Sequence, residues 1–125
     1  MVNNPLYIVG MHGLGDCLHQ RAIIRQLRKR YSKIYLETSW PQIYHDMPDI
    51  RLVNRGTSLR TQTKNATANL GLFEDLPKDF ANMHRLSVFY RPEQIRRNGS
   101  VLGAMMEYTG CDMREADFSL PIPQS

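Results

Sequence analysis

The run GMHGLGD at residues 10–16 places a carboxylate, Asp16, beside closely spaced glycines. It follows the apolar stretch Leu6 to Val9 and precedes a helix-periodic stretch that opens at Cys17. Ligands of open α/β sheets bind outside the carboxyl ends of the strands, where a glycine-rich turn lets backbone N–H groups and a helix N-terminus approach a phosphate. A carboxylate there can act as a general base on a hydroxyl that attacks an electrophile held by those amides. We therefore predict that this turn is the functional site.

Asp16 also has a structural interpretation. An Asp at the start of a helix accepts backbone N–H bonds as an N-cap, which contributes about 1 kcal/mol. The residue types alone leave both roles open.

The glycines support a competing hypothesis. Gly10, Gly13 and Gly15 fit G-x-x-G-x-G, a relative of the dinucleotide fingerprint, and Glu37 lies 22 residues beyond Gly15, where an acid can accept a hydrogen bond from a ribose hydroxyl. Against this, Asp16 would repel a pyrophosphate on the same helix terminus. A nucleotide-binding Rossmann module is therefore the second candidate.

Histidines and basic residues supply candidate binding groups. His12 is a candidate for a substrate contact, whereas His19 belongs to the helix and is expected to bond a carbonyl. Their spacing does not indicate a metal site, and no cofactor is predicted. Arg55, Arg60 and Lys64 follow the third predicted strand, and loops at strand ends carry function, so they are candidates for holding an anionic acceptor.

The charge is unevenly distributed. The net charge is +4, and residues 17–36 hold six basic side chains and no acidic one. Such a skew fits an anionic small substrate, a phosphorylated lipid or a nucleic acid, so a non-catalytic anion-binding domain is a third candidate. Arg21, Arg25 and Arg28 are displaced from the apolar positions and are interpreted as the wet face of an amphipathic helix.

The elements that must position these residues form a βαβ pattern. The predicted strands are 6–9, 33–38, 51–54 and 86–90; the predicted helices are 17–31, a short one that starts at Ser39 with Pro41 in its first turn, and 101–108 ending at Gly110. A right-handed crossover makes the first two strands parallel, and the predicted strand order is 3-2-1-4. Between residues 55 and 85 the weak signals favour a binding loop or a hidden short helix.

Length and cysteine usage bound the class of protein. With 125 residues the chain fits one domain. We see neither a signal-peptide pattern nor the roughly 18 consecutive apolar residues that span a bilayer, and we expect a cytoplasmic protein. Cys17 and Cys111 lack metal or redox spacing and are expected to be free thiols. The glycosylation triplet at Asn65 is interpreted as chance.

A family resemblance extends this interpretation. Residues 13–19, GLGDCLH, followed by residues 23–31, IIRQLRKRY, resemble the amino-terminal signature of the heptosyltransferase-like glycosyltransferases of family nine. The likeness continues through Met47-Pro48-Asp49-Ile50 to about Asn54, and returns loosely from Val101 to Pro121. One departure is Ala22, where the family commonly has proline.

The resemblance implies a fold and a mechanism. It implies a Rossmann-like, doubly wound parallel α/β sheet that is one half of a GT-B glycosyltransferase, whose two halves face each other across a cleft. Asp16 would deprotonate a sugar hydroxyl, which displaces the nucleoside diphosphate of a nucleotide-sugar donor with inversion and without a metal. Gly13, Leu14 and Gly15 would lie against the donor phosphates.

The resemblance also implies partners and an organisation. The acceptor would be a lipopolysaccharide-type glycan or glycolipid, contacted by His12, Arg55, Arg60 and Lys64, with the protein in the cytoplasm and peripheral to the inner membrane. Residues 1–120 would form the acceptor-side domain and residues 121–125 the start of an interdomain linker. The donor-binding half is missing from this sequence, so a separate chain is a candidate to supply it and little activity is expected in isolation. Nucleic acid is not an expected partner.

Overall fold

Parallel strands form the centre of the molecule. The structure is a computed structural model that describes residues 5–11, 13–54 and 60–111. Within these ranges the strands are β1 (Leu6–Val9), β2 (Ile34–Thr38), β3 (Ile50–Asn54) and β4 (His84–Ser87). They form one all-parallel sheet in the order β3-β2-β1-β4, which confirms the predicted order and the parallel α/β class.

Helices and single turns connect the strands. The α-helices are α1 (Leu14–Arg28), α2 (Arg60–Ala68), α3 (Pro92–Asn98) and α4 (Val101–Thr109), and 3₁₀ turns lie at Pro41–Tyr44, Leu70–Leu72 and Phe80–Asn82. The prediction for α4, including its end at Gly110, is confirmed, because Gly110 adopts the left-handed conformation (φ 76°) that terminates helices.

The first helix begins and ends three residues earlier than predicted. The backbone at Gly13 is still extended (φ −74°, ψ 146°), while the N–H of Cys17 already bonds to the Gly13 carbonyl at 2.9 Å. At the other end the amides of Lys29 and Arg30 bond to carbonyls only three residues back, which closes the helix in a tighter turn. The apolar period continued past the end because Tyr31 still packs on the core.

The core lies on both faces of the sheet, as the continuous apolar sequence of β1 predicts. On one face Leu6 and Ile8 are fully buried against α1 and α4. On the other face Tyr7 is fully buried and meets the Phe80 ring edge to face, with centroids 4.6 Å apart. Alternate residues of a strand point to opposite faces, so β1 is the strand with the most complete cover.

The later segments differ most from the prediction. β4 lies at residues 84–87 instead of 86–90, and α3 was not predicted, whereas the helix at residues 60–68 is one of the two alternatives predicted for the stretch 55–85. The Val88 amide still bonds to the Val9 carbonyl at 2.9 Å, after which the chain leaves the sheet. At Ser39 the predicted helix is a single 3₁₀ turn whose N-cap is Trp40 and whose first residue is Pro41.

The predicted wet arginine face is wrong for Arg21. Its side chain is 2% exposed and pairs with Asp46, while Arg25 reaches the same carboxylate at 2.9 Å. Arg28 pairs with Asp49 at the surface. These arginines therefore fasten α1 to the segment between β2 and β3.

Two predictions fall outside this view. The proposed linker at residues 121–125 and the boundary at residue 120 lie beyond the described residues.

In the described ranges, every helix is too short or too polar to cross a membrane.

Candidate functional site

Gly10 ends β1 in a space that no side chain can share. Its N–H bonds to the Glu37 carbonyl at 3.1 Å. A Cβ built on Gly10 would lie 2.8 Å from that carbonyl oxygen and 2.9 Å from Nε2 of Gln20. The first glycine of the motif is therefore required for packing between β1, β2 and α1.

A hydrogen-bond network centred on the buried side chain of Gln20 holds Met11, the residue after Gly10. The Met11 amide donates to Oε1 of Gln20 at 3.0 Å, Nε2 of Gln20 donates to the Tyr44 hydroxyl at 2.7 Å, and that hydroxyl donates to the Cys17 carbonyl at 3.2 Å. Burial raises the pKa of Tyr44 well above its ordinary value, and the nearby Cys17 adds to that rise, so the hydroxyl keeps its proton. Gln20 thus fixes the turn onto α1.

Sequence reasoning missed Gln20. The available signal was a polar residue at a helical position three and four residues before Ile23 and Ile24, on the apolar side of α1. Gln20 is fully buried there because both ends of its amide have partners.

The other two glycines of the motif lie in more open space. Gly13 is the N-cap of α1, and no side chain makes the capping hydrogen bond. At Gly15 a Cβ would have no heavy atom within 4 Å apart from its own helix and neighbours, and Leu14 between them is 41% exposed. The start of α1 therefore presents backbone that a ligand can approach closely.

Asp16 lies in the first turn of α1 and is half-buried. The N-cap interpretation is wrong, because Gly13 holds that position and Asp16 comes three residues later. A carboxylate in the first turn is favoured by the helix dipole without being a cap. The Tyr90 hydroxyl donates to Oδ1 of Asp16 over 3.4 Å, a long hydrogen bond.

Tyr90 comes from the other end of the chain. It follows β4, which pairs directly with β1, and this pairing brings residues 74 apart in sequence to the same edge of the sheet. Burial raises the pKa of Tyr90, and the negative charge of Asp16 raises it further. Tyr90 is therefore a protonated donor facing Asp16 at neutral pH.

A depression opens at the carboxyl ends of β1 and β4, beside this pair. Its volume is about 300 Å³, and its lining consists of Val9, Gly10, Met11, Ser87, Val88, Phe89 and Tyr108. The Phe89 ring stacks beside Tyr90, with centroids 6.0 Å apart and an interplanar angle of 18°. The Tyr90 ring, whose hydroxyl reaches Asp16, thus stacks on a ring that lines the depression.

The other predicted contacts are dispersed. His12 and Arg55 lie outside the described residues, and His19 is exposed on α1. Arg60 and Lys64 are exposed on α2 instead of lying in a loop.

The position of α2 explains why Arg60 and Lys64 do not join Asp16. This helix is anchored beside the end of β2, since Asn65 donates to the Ser39 carbonyl at 2.7 Å and accepts from Gln42 at 2.9 Å. Tyr90, the partner of Asp16, lies beyond β4 on the other side of β1.

Glu37 has a partner that bears on the dinucleotide hypothesis. The Tyr7 hydroxyl donates to its carboxylate at 2.7 Å. Gly10 is packed against the Glu37 carbonyl and Gln20. The first glycine of the dinucleotide pattern and its acidic residue therefore already contact other residues of the protein.

The described residues offer no site for a metal ion. Among the residues that the structure describes, no three His, Cys, Asp or Glu side chains converge in a way that could hold an ion. Cys17 is buried, and its thiol donates to the Met11 carbonyl over 3.1 Å, while Cys111 is partly buried.

The comparisons with known proteins assign no family to this chain. No family model matches the chain, and searches of curated proteins and of solved structures found no match either.

Proposed function

We propose that this chain is the acceptor-side half of a GT-B, heptosyltransferase-like inverting glycosyltransferase. In this proposal Asp16 is the general base. It takes the proton of an acceptor sugar hydroxyl, whose oxygen then attacks the anomeric carbon of a nucleotide sugar and displaces the nucleoside diphosphate. The donor would be held by a second half that lies outside these 125 residues or on a separate chain.

One observation carries the proposal: Asp16 stands at the carboxyl edge of a parallel sheet without capping its own helix. It is half-exposed, and its partner Tyr90 stacks on Phe89, which lines the depression at the carboxyl ends of β1 and β4, the edge where ligands of open α/β sheets bind. The sequence likeness of residues 13–31 to family nine gives the same residue the same role.

The donor phosphates are assigned to the start of α1. Its first amides have no side-chain cap, and the open space at Gly15 admits close approach. Asp16 on the same turn opposes a phosphate by charge, so the second half must supply the main donor contacts. A lipopolysaccharide-type glycan or glycolipid is the proposed acceptor class.

The dinucleotide module is the weaker candidate. Its expected ribose acceptor, Glu37, already binds Tyr7, and Gly10 is packed against Glu37 and Gln20. Protection of the chain by NAD in a thermal shift, absent with nucleotide sugars, would favour that candidate over ours.

The test is transfer by the reconstituted pair. The chain is combined with the product of the downstream reading frame, an ADP-sugar and lipopolysaccharide core, and release of nucleoside diphosphate is followed. Asp16→Asn should reduce turnover by at least about 100-fold, because general bases contribute roughly 10²–10⁴. Gln94→Leu on α3 is a control that should keep the rate. Full activity of Asp16→Asn, or no transfer in any combination, would contradict the proposal.

A further inference from the structure

The depression beside Asp16 has aromatic walls that the core does not need. Phe89 is 49% exposed and Tyr108 is 37% exposed. Their rings meet edge to face, with centroids 5.8 Å apart at 77°, so they form two walls at nearly a right angle. Apolar groups that remain exposed in a concave site mark a place where a ligand is bound.

The lining indicates a neutral ligand. Its backbone amides at Gly10, Met11 and Val88 already donate to the Glu37 carbonyl, to Gln20 and to the Val9 carbonyl. Those N–H groups are therefore not available to a phosphate, which needs several donors. The nearby Asp16 also repels an anion.

Size narrows the choice. A volume of about 300 Å³ lies at the lower end of ligand pockets, which run from roughly 300 to 1,000 Å³. It suits a single ring and not a dinucleotide. None of the lining residues carries a charged side chain.

A pyranose ring combines these properties. Its C–H groups give it an apolar face with partial positive charge, which is attracted to the negative face of an aromatic ring. Its hydroxyls project around the edge. A ring packed on Phe89 or Tyr108 would present that edge to the neighbouring Tyr90–Asp16 pair.

We propose that the depression between β1, β4 and α4 is a pyranose subsite, in which Phe89 and Tyr108 pack on the sugar ring and direct a hydroxyl to Asp16. This inference rests on the proposed function for the role of that hydroxyl. The phosphorylated donor is excluded from this subsite, which is reserved for an uncharged ring of the acceptor.

Binding to the whole chain tests the subsite without any second half. The probes are methyl β-D-galactopyranoside and methyl α-D-mannopyranoside. The open-chain polyol sorbitol and the nucleoside adenosine are the controls, and binding is followed by amide chemical shifts in NMR. We expect weak saturable binding of at least one glycoside, with shifts at Met11, Ser87 and Phe89, and no matching shifts with sorbitol.

Variants decide which residues carry the binding. Phe89→Ala and Tyr108→Ala should each weaken it at least about 10-fold, whereas Tyr108→Phe, which keeps the ring, should bind within about twofold. Leu72→Ala is the matched control, because Leu72 is 50% exposed on a different segment. The mutated aromatic side chains are exposed, and thermal melting will confirm that each variant folds.

The outcomes separate this inference from the proposed function. Equal binding of glycosides and sorbitol, no binding, tighter binding of adenosine at the same amides, or binding unchanged in both alanine variants would overturn the subsite. If the subsite is found but Asp16→Asn leaves transfer intact, only the catalytic role fails. If Asp16→Asn abolishes transfer while sugars bind elsewhere, only the subsite fails.

Discussion

The guanidinium of Arg21 and the carboxylate of Asp46 are joined by two parallel hydrogen bonds, Nη1 to Oδ1 at 2.8 Å and Nη2 to Oδ2 at 2.7 Å. Arg21 lies on α1, and Asp46 lies between β2 and β3. The helix that carries Asp16 is thereby fixed to the connection between β2 and β3 by a charge pair whose basic partner is buried. Such two-pronged pairs are geometrically specific as well as strong.

Removing one partner of this pair should destabilise the protein strongly. Asp46→Ala leaves the buried Arg21 charge without its carboxylate, and we expect a loss of about 3–5 kcal/mol in the free energy of unfolding, measured by urea denaturation. Asp49→Ala is the control, because the Arg28–Asp49 pair is at the surface and should cost at most about 1 kcal/mol. Equal effects of the two variants would refute a special role for Asp46.

The same pair predicts an acid-sensitive stability. The hydrogen bonds from Arg21 lower the pKa of Asp46 far below its ordinary 3.8, with Arg25 contributing and partial burial opposing. Because the folded pKa is depressed, the stabilisation is present above pH 3.8 and is lost as the pH falls below it toward the folded pKa. Denaturation between pH 5 and about 2 should show a steeper decline for the native protein than for Asp46→Asn. Parallel curves would assign the acid sensitivity to other carboxylates.

Gln20 should control the order of the turn. Gln20→Leu removes a fully buried amide and leaves the partly buried Met11 N–H without its acceptor, so we expect a loss of about 1–3 kcal/mol and faster hydrogen exchange at Met11. Gln94→Leu makes the same change at a less buried side chain that accepts from the Arg91 amide, and it should cost about 1 kcal/mol or less. Undiminished protection of the Met11 amide in Gln20→Leu would contradict the network's role.

The glycines of the turn should respond in opposite ways. Gly10→Ala forces a Cβ against the Glu37 carbonyl, which is backbone and cannot move aside, and we expect about 1–3 kcal/mol of destabilisation. Gly15→Ala enters open space inside a helix, so the thermal midpoint should stay or rise, and the free energy of unfolding should increase by up to about 1 kcal/mol. If Gly15→Ala also keeps full transfer activity in the reconstituted pair, close approach of the donor phosphates at Gly15 is excluded.

Tyr90 should report the charge of Asp16. The pKa of Tyr90 is raised first by burial and then by the Asp16 carboxylate, so Asp16→Asn should bring it part of the way back toward 10.0. The hydroxyl keeps its proton to a higher pH in the native protein than in the variant. NMR titration of the ¹³Cζ signal of Tyr90 measures both values, and an identical pKa in the two proteins would mean that the 3.4 Å contact does not form in solution.

Local sequence patterns predicted the sheet well. The apolar stretch at residues 6–9, the helix after it and the strand from Ile34 form a βαβ unit whose signals are contained in neighbouring residues. Short connections and the right-handed crossover then leave few arrangements, so the order β3-β2-β1-β4 followed. Gly110 likewise marked the end of α4 by its own backbone preference.

Prediction failed where a distant partner changes the meaning of a residue. Arg21 has the helical position of a surface arginine, and it is buried because Asp46, 25 residues later, neutralises it. For residues 55–85 the sequence left a binding loop and a hidden short helix as alternatives, and the contacts of Asn65 with Ser39 and Gln42 hold residues 60–68 as a helix against the end of β2.

The sequence by itself determined the parallel strands, the position of the glycine-rich turn and the presence of Asp16 in it, because backbone preference and apolar spacing act over a few residues. Only the tertiary structure decided that Asp16 is not a cap, that Gly10 and Gln20 fix the turn, and that Tyr90 contacts the carboxylate while Phe89 stacks on Tyr90 and meets Tyr108. The physical reason lies in the register of β4 on β1 and not in the strand order, which was predicted: opposite Val9 lies Ser87, so Tyr90 falls beyond the sheet edge and meets Asp16, 74 positions away, and no local pattern encodes that register.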